Sequence, residues 1–370
     1  MEAIQNNSDS ELYINLIESQ PCINDRYVDI KRMGQNGGEG YFSLVFTAKD
    51  LSSRKKERVV LKFFNPLRTN SYRIECFSRE SKMLKELKGQ KNIMPLIQEE
   101  TPITIHIENL GIKFPIPLKF YSSFLANFSI SQYIYEETTK HPDLLTNILY
   151  FREMCKAVQR IHKRQICHRD LKPSNFFVYK LRHSDRKYVC LGDFGTARYF
   201  YENAPTLKTN YATSPGDTRY FAPEFLCGLH ISTDHNYYAD IYSLGAILFE
   251  LYTKNILGSV IFQNKAELIA HYMAVPERDR IRVFDETVES LTKDQILPRV
   301  RAYDESIPKS IACEVDKIYQ SMACLNYKKR EVNFDYIFLR INVCEKIIRN
   351  YKEYEKWKLK GEPQRKDTVC

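Results

Sequence analysis

His168-Arg169-Asp170-Leu171-Lys172-Pro173-Ser174-Asn175, followed eighteen residues later by Asp193-Phe194-Gly195, says more about this chain than the rest of it together. The first string sets a potential base, a cation and a metal-ligating amide in one short loop. The second adds a carboxylate beside a glycine. A His-x-Asp by itself is common; the extended string with a second motif at this distance is not.

The surrounding composition bounds what such a loop can belong to. At 370 residues, 43% apolar and 27% charged, the chain is that of a soluble globular protein, either two ordinary domains or one enzyme of two lobes around a cleft. The longest apolar run, Tyr242 to Tyr252, is half a membrane span and carries Glu250, so it is expected to be a buried helix and no membrane span is expected. Met1 to Ser10 is polar and acidic, without the basic start and apolar core of a signal peptide, so the expected location is the cytoplasm. The ten cysteines are scattered with no Cys-x-x-Cys pair, which points to reduced, buried thiols rather than zinc or disulfides. The net charge of +9 is spread along the chain, with small clusters at Arg54-Lys55-Lys56 and Lys328-Lys329-Arg330. That is a solvated basic surface, and no nucleic-acid partner is expected.

Along the chain, residues 1–26 hold one apolar cluster, Leu12 to Ile17, before Pro21, and read as an N-terminal extension that docks weakly or not at all. From Tyr27, aromatic and β-branched runs separated by glycine or charged turns predict an antiparallel meander. A helix is expected over 72–87, then further strands over 97–121 with an irregular connection, because Pro102, Pro115 and Pro117 fall there. After residue 125 the pattern turns helical, with a long amphipathic helix over 144–162 and an apolar one over 239–252. A β-rich half with one main helix followed by a larger α-helical half is an α+β, two-lobed layout.

The motifs, in this order and spacing over residues 27–350, resemble those of the eukaryotic-type serine/threonine protein kinases. The resemblance implies a small N-lobe at about 27–122, a hinge at about 123–128, a C-lobe at about 129–350 and a charged tail at 351–370. It also implies ATP, magnesium (or manganese in its place) and a protein substrate. Phosphoryl transfer works by positioning and charge neutralisation. In that frame Asp170 takes the proton of the attacking hydroxyl, Lys172 faces the transferring phosphoryl group, and Asn175 and Asp193 hold metal through hard oxygens. Gly38-Glu39-Gly40-Tyr41-Phe42-Ser43-Leu44-Val45 is similar to the loop covering the phosphates, with Gly38 and Gly40 letting backbone amides approach. Ser43 replaces the third glycine. Val59-Val60-Leu61-Lys62 is similar to the strand whose lysine meets the α and β phosphates, and Glu80 is the implied partner of Lys62, with Glu75 the competing choice. Val45, Val60 and Phe177 are the implied apolar contacts of the nucleotide, and Val60, where alanine is usual, implies a tighter adenine pocket. Ser122 is the implied residue at the back of that pocket.

The resemblance also assigns supporting roles. His168 packs under Phe194, and Asp240 braces the catalytic loop. Arg169 meets a phosphate on Thr206, Thr209, Thr213 or Ser214. Gly216 to Glu224 shapes the peptide-substrate site, with Arg330 as the cation for Glu224. Asp217 stands where threonine is usual, which leaves open what bridges Asp170 and Lys172. His162 is assigned packing alone. Two rivals remain: a small-molecule phosphotransferase of related fold, disfavoured by the Ala222-Pro223-Glu224 segment, and a pseudokinase scaffold, disfavoured by the presence of Lys62, Asp170, Asn175 and Asp193 together.

Overall fold

The alternating runs from Tyr27 to Phe64 become strands, as a side-chain period of two requires. The computed structural model describes residues 2–33, 43–67, 71–109, 112–136, 143–180, 187–200, 216–229 and 233–361. Strands β1 (Tyr27–Arg32), β2 (Ser43–Asp50) and β3 (Arg58–Phe64) form an antiparallel meander, which β4 (Leu96–Asn109) and β5 (Ile112–Phe124) extend to a five-stranded sheet of order β1-β2-β3-β5-β4. Helix α1 (Glu2–Glu18) precedes the sheet, and α2 (Ser71–Glu86) follows β3. Val45 pairs with Lys62, and Lys62 with Tyr121, so these side chains share a face with Val60 while Phe46, Leu61, Phe63 and Phe120 take the other. On the first face, Phe77 of α2 sets its ring 5.2 Å from Tyr121 and 5.6 Å from Phe64.

The second face carries a correction. Residues 1–26 do not form a weakly docked extension: Ile14 and Ile17 of α1 are 1% and 0% exposed, in one cluster with Phe46, Leu61, Phe63, Ile105, Leu118 and Phe120. A sheet face lined with aromatic side chains would otherwise meet water, and two isoleucines three apart on a helix cover it. Helix α1 also grips the end of β1 just before the glycine cluster. Glu18 accepts from the Arg32 backbone N–H, and Glu11 pairs with the Arg32 guanidinium at 2.6 Å. Ile17→Asp is therefore expected to cost about 3 kcal/mol or more, read as a lower urea midpoint; an unchanged midpoint would mean that α1 is dispensable to the core.

The three prolines lie inside strands rather than in an irregular connection. Pro102 pairs with Lys119, Pro115 with His106 and Pro117 with Thr104. Because β3 pairs with β5 only from Phe120 onward, one backbone edge of β5 over 112–119 has no ladder to lose. Two prolines spaced by the strand period can point their missing N–H groups along that edge, and Pro102 sits in β4, at the edge of the sheet.

The same compact unit, which comprises Met1–Ser129, Lys163–Arg169 and Asn175–Pro215, also holds two small sheets. One joins β6 (Phe128–Ser129), β8 (Phe176–Lys180) and β9 (Lys187–Leu191); the other pairs β7 (Ile166–Cys167) with β10 (Arg198–Tyr199). Between β5 and β6 only residues 125–127 lie outside strands, a shorter link than the hinge of 123–128, because Ser123 and Phe124 still pair with β3.

The second unit, Ile130–His162, Asp170–Ser174 and Gly216–Cys370, is helical. It contains α3 (Ile130–Glu136), α4 (Leu144–His162), α5 (Pro223–Leu226), α6 (Thr233–Thr253), α7 (Leu257–Val260), α8 (Phe262–Met273), α9 (Glu277–Thr292), α10 (Lys309–Met322) and α11 (Phe334–Gly361). The apolar run Tyr242 to Tyr252 is the buried C-terminal half of α6, as its composition predicts, and α4 and α10 pack on this helix. Gly245 makes the α10 contact possible: a Cβ there would stand 2.8 Å from the Ala323 backbone nitrogen. No helix among the described residues is long and apolar enough to cross a membrane. Helix α11 runs unbroken through residue 351, where the charged tail was expected to begin. A β-rich unit and a larger helical one make up the α+β, two-lobed layout expected from the sequence.

Candidate active site

In the β-rich unit the site is built around Lys62. Its Nζ lies 2.7 Å from Glu80 Oε1, with the two side chains 20% and 9% exposed. Glu75 instead faces Arg79 at 3.6 Å, so the partner of Lys62 is Glu80. Burial works against the charge on Lys62, but the nearby carboxylates of Glu80 and then Asp193 outweigh it and raise the lysine above its ordinary value. The result is a fixed cation at the surface of the sheet, suited to holding phosphate oxygens.

Asp193 reaches this position from a left-handed backbone, φ 60° and ψ 60°, at the start of a 3-10 turn spanning Phe194–Thr196. The turn is pinned from two sides. Arg79 of α2, one residue before Glu80, donates to the Gly195 carbonyl at 2.9 Å. His168 meets the Gly192 carbonyl through Nε2 at 3.0 Å and sets its ring 5.0 Å from Phe194, which is the structural role read from the sequence. Asn175, 4% exposed, accepts through its backbone carbonyl from the Gly192 N–H at 3.0 Å, which ties it to the strand leading into Asp193. A carboxylate and an amide oxygen on two tied segments form the hard donor set that suits magnesium. Phe177 packs its ring against Gly192. Arg169 is 3% exposed and donates to the Thr196 carbonyl at 3.5 Å. Gly38, Gly40, Thr206, Thr209, Thr213 and Ser214 lie outside the described residues.

Ser122, expected at the back of the adenine pocket, faces away from Lys62, while its neighbours Tyr121 and Ser123 pair with Lys62 and Val60 and share their face. Ser122 pairs with Leu61 and hydrogen bonds Tyr27 at 2.8 Å on the opposite face of the sheet. Tyr121 is the residue that pairs with Lys62, its ring centroid 5.7 Å from Nζ. Burial, and then the Glu80 charge, push its phenol well above the ordinary value, so it stays neutral. A slip of one residue in a strand moves a side chain to the other face.

In the helical unit, Asp170 has both carboxylate oxygens assigned. Oδ2 takes the Lys172 ammonium at 2.8 Å, and Oδ1 accepts the Asp217 backbone N–H at 2.9 Å. The question raised by Asp217 is thereby answered: its main chain meets Asp170, and its side chain turns to Arg219, 2.7 Å from Nη2. Partial burial opposes the Asp217 charge, yet the hydrogen bonds from Arg219 hold the carboxyl below its usual range. Glu224 and Arg330 form a bidentate pair with both side chains fully enclosed. Asp240, 1% exposed, meets His162 Nε2 at 3.0 Å, so His162 does more than pack.

Arg79, Tyr121 and Lys265 are functional candidates that motif reading missed. Arg79 carries a signal after all, since it continues the buried stripe Cys76, Glu80, Met83 of α2.

The sequence profile of the protein kinase domain matches residues 32–333. Among similar proteins are a probable serine/threonine-protein kinase of Dictyostelium discoideum, 28% identical over 316 residues, 81% of this chain and 46% of that protein, and the serine/threonine-protein kinase unc-51 of Caenorhabditis elegans, 25% identical over 243 residues, 64% of this chain and 25% of that protein. The mitogen-activated protein kinase spm1 of Schizosaccharomyces pombe is 27% identical over 310 residues, 77% of this chain and 64% of that protein. The chain spans less than half the length of the first two relatives it matches. A domain match over most of the chain, on a fold that ties Lys62 to Glu80 and Asp170 to Lys172, identifies the chain as a member of the protein kinase family.

Proposed function

We propose that this chain is a serine/threonine kinase that transfers the γ-phosphoryl group of ATP, with magnesium, to hydroxyls of protein substrates. The observation that carries the proposal is the Lys62–Glu80 pair with Asp193 beside it. A buried glutamate tied to a lysine that also feels the half-buried Asp193 carboxylate is a costly arrangement unless that charge is used, and phosphate is the ligand such a held cation suits. Lys62 would grip phosphate oxygens, and Asn175 and Asp193 would hold the metal, which shields charge on the phosphates. Asp170 would receive the proton as the acceptor oxygen bonds to phosphorus and the bond to the ADP oxygen breaks. Lys172, 2.8 Å from Asp170, would offset charge on the transferring group. Lys172 at this spacing and the names of the relatives favour serine and threonine over tyrosine. Phosphorylation among Thr206, Thr209, Thr213 and Ser214 would regulate the enzyme; full activity with all four changed to alanine would count against that part. The cytoplasm is the proposed site of action.

The test is transfer of labelled phosphate from ATP to a generic basic protein, followed by phosphoamino-acid analysis. Label on serine or threonine is expected, lost on chelation and restored by magnesium or manganese. ATP binding without transfer under either metal would favour a scaffold instead.

A further inference from the structure

Lys265 takes no part in the transfer chemistry proposed above, yet it is among the most enclosed charges of the helical unit. It lies on α8 with 2% of its surface exposed. The nearest acidic group in play, Glu224, is already occupied by Arg330, and among the described residues Lys265 makes no ion pair. Its hydrogen bond is to the main chain, from Nζ to the Phe221 carbonyl at 2.7 Å. The Tyr242 ring centroid is 5.0 Å from the same nitrogen and 5.1 Å from the Arg330 guanidinium. An enclosed ammonium without a carboxylate is a strongly disfavoured arrangement unless its hydrogen bond and its aromatic neighbour serve a purpose.

The purpose is visible in what is bonded. Three successive carbonyls are each met by a different helix. At Arg219, α7 packs on the carbonyl so closely that a Cβ on Gly258 would stand 1.9 Å from the oxygen. At Tyr220, Ser243 Oγ of α6 donates at 3.0 Å. At Phe221, Lys265 of α8 donates. One end of this stretch is fixed by the Asp217 N–H on Asp170 and the other by Glu224 on Arg330. Of the three carbonyl contacts, the one at Phe221 comes from a charge that water would otherwise hold.

We propose that Lys265 is a positioning residue for the protein substrate, its bond to the Phe221 carbonyl setting the backbone of residues 216–224 against which the acceptor segment lies. This rests on the kinase reading of that stretch. Burial pulls Lys265 down to about 7, with Glu224 raising it and Arg330 lowering it. Of the groups facing it, Glu224 and Arg330 neutralise each other. Tyr242 is pushed above its ordinary value by burial and stays neutral, and Arg219 is held by Asp217. Below pH 7 the ammonium donates a charge-assisted bond; above it a neutral amine donates a weaker one. The KM for peptide should therefore rise as pH passes upward through 7.

Lys265→Met keeps the length and apolar stem of the side chain and removes the donor. The expected result is a rise of about tenfold in peptide KM, the scale of one charge-assisted hydrogen bond, with ATP KM unchanged and no pH step in peptide KM. Backbone amides over 216–226 should exchange hydrogen faster, while those of α10 keep their wild-type rates. Wild-type exchange over 216–226 would overturn the inference, and so would faster exchange that reaches α10 with ATP KM altered, which is general loosening. Failure of the kinase reading shows separately, as an unaltered chain that transfers no phosphate; the exchange comparison then decides the role of Lys265 by itself.

Discussion

Asp170→Ala is expected to lower phosphoryl transfer by about 10²- to 10⁴-fold, the range a positioned general base contributes, while ATP binding persists. The carboxylate is 8% exposed and both of its oxygens are engaged, one by Lys172 and one by the Asp217 N–H. Those contacts fix its orientation before any substrate arrives. Alanine removes the base and also frees Lys172 and the Asp217 backbone, a loss of about 1–3 kcal/mol if the N–H stays buried and unpaired. Asp170→Asn separates the two effects. An amide oxygen can still accept the Asp217 N–H, but the side chain cannot take a proton or pair with the Lys172 charge. Comparable loss in both variants, with an ATP Kd near wild type, assigns the defect to chemistry. ATP affinity should hold because Lys62, Glu80 and Asp193 do not depend on Asp170 for their contacts. An asparagine variant that transfers at the wild-type rate would remove Asp170 from the mechanism.

What the sequence made legible, and what it hid, follows from the distances involved. Lys62 and Glu80 could be read because the strand and the helix that carry them resemble those of the family, although sequence left Glu75 open and geometry closed the choice. The Glu224–Arg330 pair, 106 residues apart, was legible through motif resemblance alone, since nothing local links the two. Tyr121 was missed for a local reason: β5 is 13 residues long and contains two prolines, and no feature within it marks which parity faces Lys62. Helix α1 was missed because Leu12, 57% exposed, and the buried Ile14 and Ile17 form an apolar cluster whose helical spacing is short and imperfect. Lys265 had no signature whatever. A lysine on an otherwise ordinary amphipathic helix reads as solvated, and its burial is decided by contacts with Phe221 and Tyr242, 44 and 23 residues away.

Arg330→Ala should cost about 3–5 kcal/mol of stability, because it leaves the enclosed Glu224 carboxylate without its counter-charge. Both side chains are 0% exposed, so water cannot replace the guanidinium. The arginine also donates to the carbonyls of Cys324 at 2.7 Å and Tyr238 at 3.0 Å, so one truncation strands several acceptors. Against a total stability of about 5–15 kcal/mol, that is a large fraction, and the urea midpoint should fall accordingly. Arg330→Lys should recover part of the loss: a point charge can face one carboxylate oxygen but cannot reproduce the two-pronged geometry. The decisive variant is Glu224→Gln combined with Arg330→Met. If the alanine penalty arises from an uncompensated buried charge, removing both charges should restore much of the stability even though the salt bridge is gone. If it arises from lost packing and orphaned carbonyls, the double variant should be no better than Arg330→Ala. A single variant within 1 kcal/mol of wild type would exclude both accounts and with them the role of this pair in holding the substrate platform.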